Sequence, residues 1–333
     1  MTNMDKHASY LDLKAPDHRR FGEMLGRVLA KDVQEDVARA KIEKDFSEQR
    51  KKALAYLPAA RRWAPHLMEE FEGYAVVAGV TLEDVWLLTL EDEMEQLEHC
   101  TSVLTNEGRM LAHNEDWDVP GSEHRVYVLR RRIGREETLE LYYRNTLGGN
   151  AIGIGPHGMM YAVNTIDCAD ARVGVPRNFL ARAAADARSL KEAIELLTTA
   201  RRASGHAYLF MHGADYASVE VTATKLAAKH HPSLPFCHTN HILDPHLAAS
   251  RQTFGHYHGS EGRLRVAREL VKPHMKPEAL EKALEDTSHG PEKSLLNQDT
   301  VGRVLIDFDR KTFNVWLKRE PEKGWVDYPF TAT

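Results

Sequence analysis

The sequence predicts an α+β fold in which antiparallel sheets pack between helical layers. Blocks of alternating β-branched and aromatic residues are separated by blocks at helical spacing, and regular β-α-β alternation is missing. Of 333 residues 42% are apolar, enough for a substantial core, which excludes wholesale disorder. No repeat, low-complexity tract or Pro/Gly-rich linker divides the chain, so it reads as one continuous domain. A doubly wound nucleotide fold is disfavoured.

The first 30 or so residues are polar and irregular. Over 32–57, Val33, Val37, Ala40, Ile42 and Phe46 recur at helical spacing, which predicts an outer helix. Thr81 and Asp84 form a capping box ahead of a second helix that should end near Glu98. At Cys100 the period changes to that of a strand, and 100–105 and 110–114, joined by the turn residues Asn106, Glu107 and Gly108, predict a hairpin. Further strands are expected at 125–131, 138–144, 159–166, 207–211 and 217–223. Helices return at 178–200, where Ser189 and Glu192 form another capping box, and at 262–271 and 277–284. Three strands, 303–309, 312–318 and 325–330, close the chain.

With 44 Lys and Arg against 49 Asp and Glu, the net charge of −5 gives no basis for nucleic-acid or anionic-membrane binding. The apolar run 73–80 is far too short to span a bilayer and the N-terminus has no signal-peptide core, so a soluble, cytoplasmic protein is expected. Three cysteines cannot build a disulfide framework, and attention falls on individual thiols. Cys168 and Cys237 lie in apolar contexts and read as small hydrophobes.

Cys100 differs in its company. It opens a strand directly after an acidic helix, and downstream lie Asp116 and Asp118, Asn164, Asn240 and Arg263. An acid, two side-chain amides and a guanidinium are the parts of an amide-cleaving site. His230, His231, His238, His241, His246, His256 and His258 invite a metal reading, but no zinc-type spacing connects them, and neither metal nor cofactor is expected.

These strings resemble the penicillin acyltransferase family (acyl-coenzyme A:6-aminopenicillanic acid acyltransferase-like, peptidase family C45) of N-terminal nucleophile hydrolases, relatives of bile-salt hydrolases and penicillin V acylases. The resemblance is carried by CTS at 100–102, HNEDWD at 113–118, GMMYAVN at 158–164, GVPRNFLAR from Gly174, HTNHIL from His238 and SEGR ending at Arg263, within about Pro65 to Phe330. It implies a four-layer αββα sandwich and a precursor that cuts itself between His99 and Cys100. The mostly helical segment 1–99 would stay in the fold as a small chain beside the catalytic chain 100–333. A freed Cys100 carries an α-amine of pKa about 8 beside its thiol, so it brings its own general base.

The same resemblance implies that Asp116, with Asp118 as alternate, holds the α-ammonium and thiolate. Asn164 and Asn240 would donate to the oxyanion, and Arg263, with Arg265 as alternate, would favour the thiolate. Thr101 and Ser102 would assist the precursor's acyl shift or simply bond within the hairpin. Two departures stand out: His113 replaces the Arg of the bile-salt branch, which argues against conjugated bile acids, and Gly155 stands where relatives often have Asn.

The expected activity is hydrolysis of a linear amide in a small molecule through a thioester on Cys100. Alternatives are acyl transfer to an amine, with a coenzyme A thioester as candidate donor, an inactive binding protein of the same fold, and an internal Cys-His thiol protease. Trp117, Tyr142, Tyr143, Phe254 and Tyr257 are candidates for the substrate pocket. The partners expected are the amide substrate and the protein's own cleaved small chain.

Overall fold

Residues 6–95, 99–251 and 257–331 are described by the computed structural model. Strand β1 (Tyr10–Ala15) precedes six helices: α1 (His18–Lys41), α2 (Phe46–Leu54), α3 (Leu57–Trp63), α4 (Pro65–Ala78), α5 (Leu82–Thr89) and α6 (Glu91–Glu95). Next come β2 (Thr101–Thr105), β3 (Met110–Asp116), β4 (Val126–Ile133), β5 (Glu136–Tyr143), β6 (Ile152–Ile154) and β7 (Met160–Ile166). Helices α7 (Arg177–Ala185) and α8 (Leu190–Thr199) lead to β8 (Gly205–His212), β9 (Asp215–Val221), β10 (Leu226–His230) and β11 (Phe236–His238). Helices α9 (Tyr257–Leu270) and α10 (Pro277–Leu284) precede β12 (Thr300–Asp307), β13 (Thr312–Leu317) and β14 (Val326–Pro329).

The strands form an eight-stranded sheet, β1-β4-β5-β6-β7-β8-β9-β10, and a six-stranded sheet, β11-β2-β3-β12-β13-β14. Their side chains alternate between faces, and that alternation builds the layers. Val126, Val128, Leu139 and Leu141 of the first sheet meet Leu104, Leu111, Val304 and Phe313 of the second in one core. Tyr127, Leu129 and Tyr142 turn the other way, onto Phe21, Leu25, Phe71, Trp86 and Phe179 of the helices. Behind the second sheet, Val103, Met110, Ala112 and Leu305 meet Leu264, Ala267 and Leu280 of α9 and α10. Three stacked cores make the arrangement helix, sheet, sheet, helix, the αββα sandwich that the sequence resemblance implies. No described helix is long and apolar enough to cross a membrane.

Both predicted N-caps form, with Thr81 Oγ1 accepting from the Asp84 amide at 3.2 Å and Ser189 Oγ from the Glu192 amide at 3.1 Å, while the Glu192 carboxylate accepts from the Arg188 amide at 2.8 Å. The turn between β2 and β3 has left-handed backbone at Asn106, Glu107 and Gly108 (φ 52°, 57° and 77°), as its Asn and Gly foretold. Other expectations need correction. The N-terminal stretch is regular from residue 10 onward: β1 pairs parallel with β4, the one parallel partnership among the described strands, and Asp17 caps α1 by accepting from the Arg20 amide at 2.8 Å. The apolar stripe of α1 starts at Phe21 and Leu25, well before residue 32, on a helix whose charges conceal it. The expected 32–57 helix breaks after Lys41, and the expected 178–200 helix breaks before Ser189, which caps a fresh start. The short strands β6, β10 and β11 have too few residues for an alternation to show. The helix before Cys100 stops at Leu90 and resumes as α6; its expected end near Glu98 lies outside the described residues.

Residues on the two sides of Cys100 are laced together. Arg144 forks onto Asp36 at 2.7 and 3.0 Å, and Ser9 Oγ donates to Glu320 Oε1 at 2.6 Å. Helices α1 and α4 cross closely because Gly22 and Gly26 face the backbone of Glu70 and Tyr74. A Cβ on Gly22 would stand 1.8 Å from the Glu70 carbonyl oxygen, so the helices would have to separate. Gly22→Ala should therefore cost about 1–3 kcal/mol or more of unfolding free energy in denaturant titration. An unchanged midpoint would contradict the close crossing.

Candidate functional site

The β2–β3 hairpin sorts its polar residues by parity. Leu104 and Leu111 face the space between the sheets, so Cys100, Ser102, His113 and Glu115 share that face. Val103, Met110 and Ala112 face α9 and α10, and Thr101, Asn114 and Asp116 go with them. The register, Ser102 opposite His113, brings Glu115 beside Cys100. The Cys100 thiol donates to Glu115 Oε1 at 2.8 Å, Glu115 Oε2 lies 2.7 Å from His113 Nε2, and His113 Nδ1 lies 2.8 Å from Ser102 Oγ. All four side chains are buried.

On the other face, Asn114 Nδ2 donates to the carbonyls of Leu284 and Leu295, fastening α10 and its following loop to the sheet. The Asp116 carboxylate accepts from Thr300 Oγ1 at 2.6 Å and Asn297 Nδ2 at 2.9 Å, with Arg263 Nε 4.0 Å away. Burial raises its pKa to about 6, against the pull of Arg263 and these hydrogen bonds. The Asp116 carbonyl also accepts from the His99 amide at 2.9 Å, which ties the residue before Cys100 to the end of β3.

Arg263, on α9, joins these groups. Nη1 donates to the Cys100 carbonyl at 2.8 Å and to Thr101 Oγ1 at 3.1 Å, and Nη2 donates to Asn240 Oδ1 at 3.1 Å. Burial lowers the Arg263 pKa, while Asp116 and Cys100 oppose that shift. Asn240 donates through Nδ2 to the Thr165 carbonyl at 3.2 Å, bridging to β7, and its backbone amide donates to Ser260 Oγ at 2.9 Å. Asn164, the neighbour of Thr165, lies on the face of β7 that carries Met160 and Ala162 into the space between the sheets, where β7 packs on β2 and β3. It is fully buried, and neither atom of its amide finds a partner among the described residues.

The structure thus brings Cys100, Thr101, Asp116, Asn240 and Arg263 together and directs Asn164 into the same inter-sheet space as the thiol. Arg265 is exposed, turned away from Cys100 on α9, and Asp118 sits at the rim. A cleft of about 510 Å³ touches His99, Asp118, Ser260, Arg263, Asn297 and Asp299, so it reaches the residue before Cys100 and the guanidinium that holds the Cys100 carbonyl. Trp117 and Tyr143 pack edge-on at 4.8 Å in the core between the sheets, with the Arg125 guanidinium 4.5 Å from the Trp117 ring. Tyr142 is placed differently from its expected pocket role: as the neighbour of Tyr143 on a strand it points to the helical layer, where its hydroxyl donates to the Thr146 carbonyl. Phe254 and His256 lie outside the described residues, as do the side chains of Tyr257 and His258.

Glu115 and Ser260 escaped the sequence reading, and His113 entered it only as a departure. The signal was available: parity along β3 separates Glu115 from Asp116 and puts Glu115 on the Cys100 side. Among the described residues the other histidines build no metal-donor group: His238 pairs with Glu220 at 2.7 Å, His231 with Asp215 at 3.1 Å, and His241 with Ser260 at 2.7 Å. Among the described residues three potential metal donors do converge, Cys100, His113 and Glu115, within 4.8 Å of one another. Donors around a tetrahedral zinc stand about 3.4 Å apart, given bonds of about 2.0–2.3 Å. Contacts of 2.7 and 2.8 Å are instead the spacing of groups sharing protons. Burial pushes the thiols of Cys168 and Cys237 up to about 12, which keeps both protonated near neutrality.

Residues 103–313 match the sequence model of the family described as acyl-coenzyme A:6-aminopenicillanic acid acyl-transferase. The β-alanyl-dopamine/carcinine hydrolase of Drosophila melanogaster is 26% identical over 160 residues, covering 41% of this chain and 41% of that protein, so the chain spans less than half the length of this relative. Among solved structures, penicillin V acylase from Agrobacterium tumefaciens is 15% identical, with 66% of this chain and 83% of that one covered and a TM-score of 0.42. A variant of conjugated bile acid hydrolase from Clostridium perfringens is 12% identical, with coverages of 70% and 98% and a TM-score of 0.45.

Asp116 offers a test of the site's electrostatics. Folded, it holds its proton up to about pH 6; its ordinary value is 3.8, so the folded state binds more protons between these values and stability falls as pH rises through them. With Cys100→Ala as the parent, Asp116→Asn should gain in Tm relative to that parent between about pH 4 and about pH 7. A Tm difference that stays constant over this range would contradict the raised pKa.

Proposed function

Because the chain belongs to the acyl-coenzyme A:6-aminopenicillanic acid acyl-transferase family, we propose that Cys100 is the nucleophile of a self-activating hydrolase of linear amides. The observation that carries the reading is the grip of buried Arg263 on the Cys100 carbonyl, Thr101 and Asn240 at the end of a cleft that also reaches His99. Cleavage between His99 and Cys100 would free the α-amine. That amine takes the thiol proton as Sγ attacks the substrate carbonyl, then passes it to the departing amine. A thioester remains on Cys100, and water releases the acid.

Charge developing on the carbonyl oxygen needs donors fixed in advance. Arg263 holds the oxygen of Asn240, which makes Nδ2 the donor end of that amide, and Asn164 supplies a second amide from β7. Arg263 holds the start of β2 through the Cys100 carbonyl, and the Asp116 carbonyl holds the His99 amide, next to the bond that would break.

Water as the acceptor is favoured by the cleft's own charge. Asp118, Glu292 and Asp299 line it, and burial together with Asp118 raises the pKa of Asp299. Such a wall repels polyphosphates such as coenzyme A and suits neutral or cationic amides. The Drosophila relative is named for β-alanyl-dopamine and carcinine, and small amides of that kind are the substrates we propose.

Denaturing mass spectrometry should find wild-type protein as two chains, the larger starting at Cys100, and Cys100→Ala as one. An active enzyme that stays uncut would contradict the free-amine mechanism. In cleaved protein, Asn240→Ala should lower kcat by about 10² to 10³ with little change in KM. Wild-type turnover in that variant would move the oxyanion site elsewhere. Chelators should leave the rate unchanged, and zinc-reversible inactivation by EDTA would contradict the proton-sharing reading of Cys100, Glu115 and His113.

A further inference from the structure

Self-cleavage poses a problem that the mature mechanism does not solve. In the uncut chain the nitrogen of Cys100 belongs to a peptide bond and cannot accept the thiol proton. We propose that Glu115 is the base that activates Cys100 for its own maturation, with His113 and Ser102 as positioning residues behind it. The inference rests on the self-cleavage reading above.

Three observations carry it. The Glu115 carboxylate already accepts from the Cys100 thiol at 2.8 Å, within the reach a general base requires. Its second oxygen is held by His113, whose ring is in turn fixed by Ser102, so the acceptor is oriented from both ends. Pairing within the hairpin enforces this, because the register that sets Ser102 against His113 leaves Glu115 alongside Cys100. The neighbouring acid cannot substitute: Asp116 points to the opposite face and is bonded to Thr300 and Asn297.

The step balances without a further reagent. Glu115 removes the proton from Sγ as sulfur attacks the carbonyl carbon of His99. The bond from that carbon to the Cys100 nitrogen breaks, and the proton passes from Glu115 to the nitrogen. The products are a thioester between His99 and Cys100 Sγ and a free α-amine. One water then hydrolyses the thioester, leaving a carboxylate on His99 and the thiol on Cys100. Two bases thus serve two stages: Glu115 while the nitrogen is acylated, and the α-amine afterwards.

The test follows cleavage of freshly synthesised full-length protein over time, with Tm recorded for each variant and Cys100→Ala as the uncut control. Glu115→Gln keeps the size and polarity of the side chain but cannot act as the base, so cleavage should slow by about 10² to 10⁴ while the protein stays folded. Hydroxylamine, which opens thioesters, should not restore it, because no thioester forms. Cleavage of Glu115→Gln at the wild-type rate, or its rescue by hydroxylamine, overturns the proposal. His113→Gln decides the matter should Glu115→Gln fail to fold. It leaves the carboxylate on the thiol, so cleavage should persist at a reduced rate, whereas a folded His113→Gln as inert as Cys100→Ala would make the imidazole the base and overturn the assignment to Glu115. Wild type that never cleaves would instead remove the self-cleavage reading itself.

Discussion

Arg263 carries a positive charge into the interior at 3% exposure, and a charge there must be met by fixed partners. It finds them in the Cys100 carbonyl, Thr101, the oxygen of Asn240 and the nearby carboxylate of Asp116. These partners come from the second sheet and from the chain that follows β11, while Arg263 itself stands on α9. The need to satisfy one guanidinium therefore fixes how α9 sits on the sheet, where β2 begins and which way the Asn240 amide faces. Removing any partner would leave a buried charge under-compensated, which couples the site's geometry to the fold's stability.

The hairpin of β2 and β3 gives the site its two sides. With side chains alternating, adjacent residues Glu115 and Asp116 serve opposite layers although both are acids and both are buried. One side, between the sheets, holds the thiol and its chain of proton-sharing groups. The other, under α9, holds Arg263 and the carboxylate that steadies it. Cys100 lies where the two meet, with its sulfur inward and its carbonyl on Arg263. The fold need not move a helix or domain to join thiol and support, because one strand start delivers both.

Much of this was legible in the sequence, for reasons that can be stated residue by residue. The N-caps at Thr81 and Ser189 and the turn at Asn106 to Gly108 are local chemistry, and they form as written. Strands with clear alternation, such as β4 and β5, also announced themselves. What stayed hidden depended on distant partners. β1 takes its strand form from pairing with β4, more than 100 residues away, and the short strands β6 and β11 are defined by their neighbours. The grouping of Cys100, Asp116, Asn240 and Arg263 came from family motifs, since nothing local in the sequence says that residues 100 and 263 touch. Glu115 was missed because the motif drew attention to the acid beside it.

The central claim is that chemistry passes through the sulfur of a Cys100 that begins its own chain. Mixing enzyme with a slowly hydrolysed amide, quenching in acid so that a thioester cannot migrate to the α-amine, and mapping the digest by tandem mass spectrometry tests it directly. The acyl group should sit on the sulfur of Cys100, in a peptide whose first residue is Cys100 with its amine unmodified. An acyl group on any other side chain, or on a peptide in which Cys100 still follows His99, would contradict it.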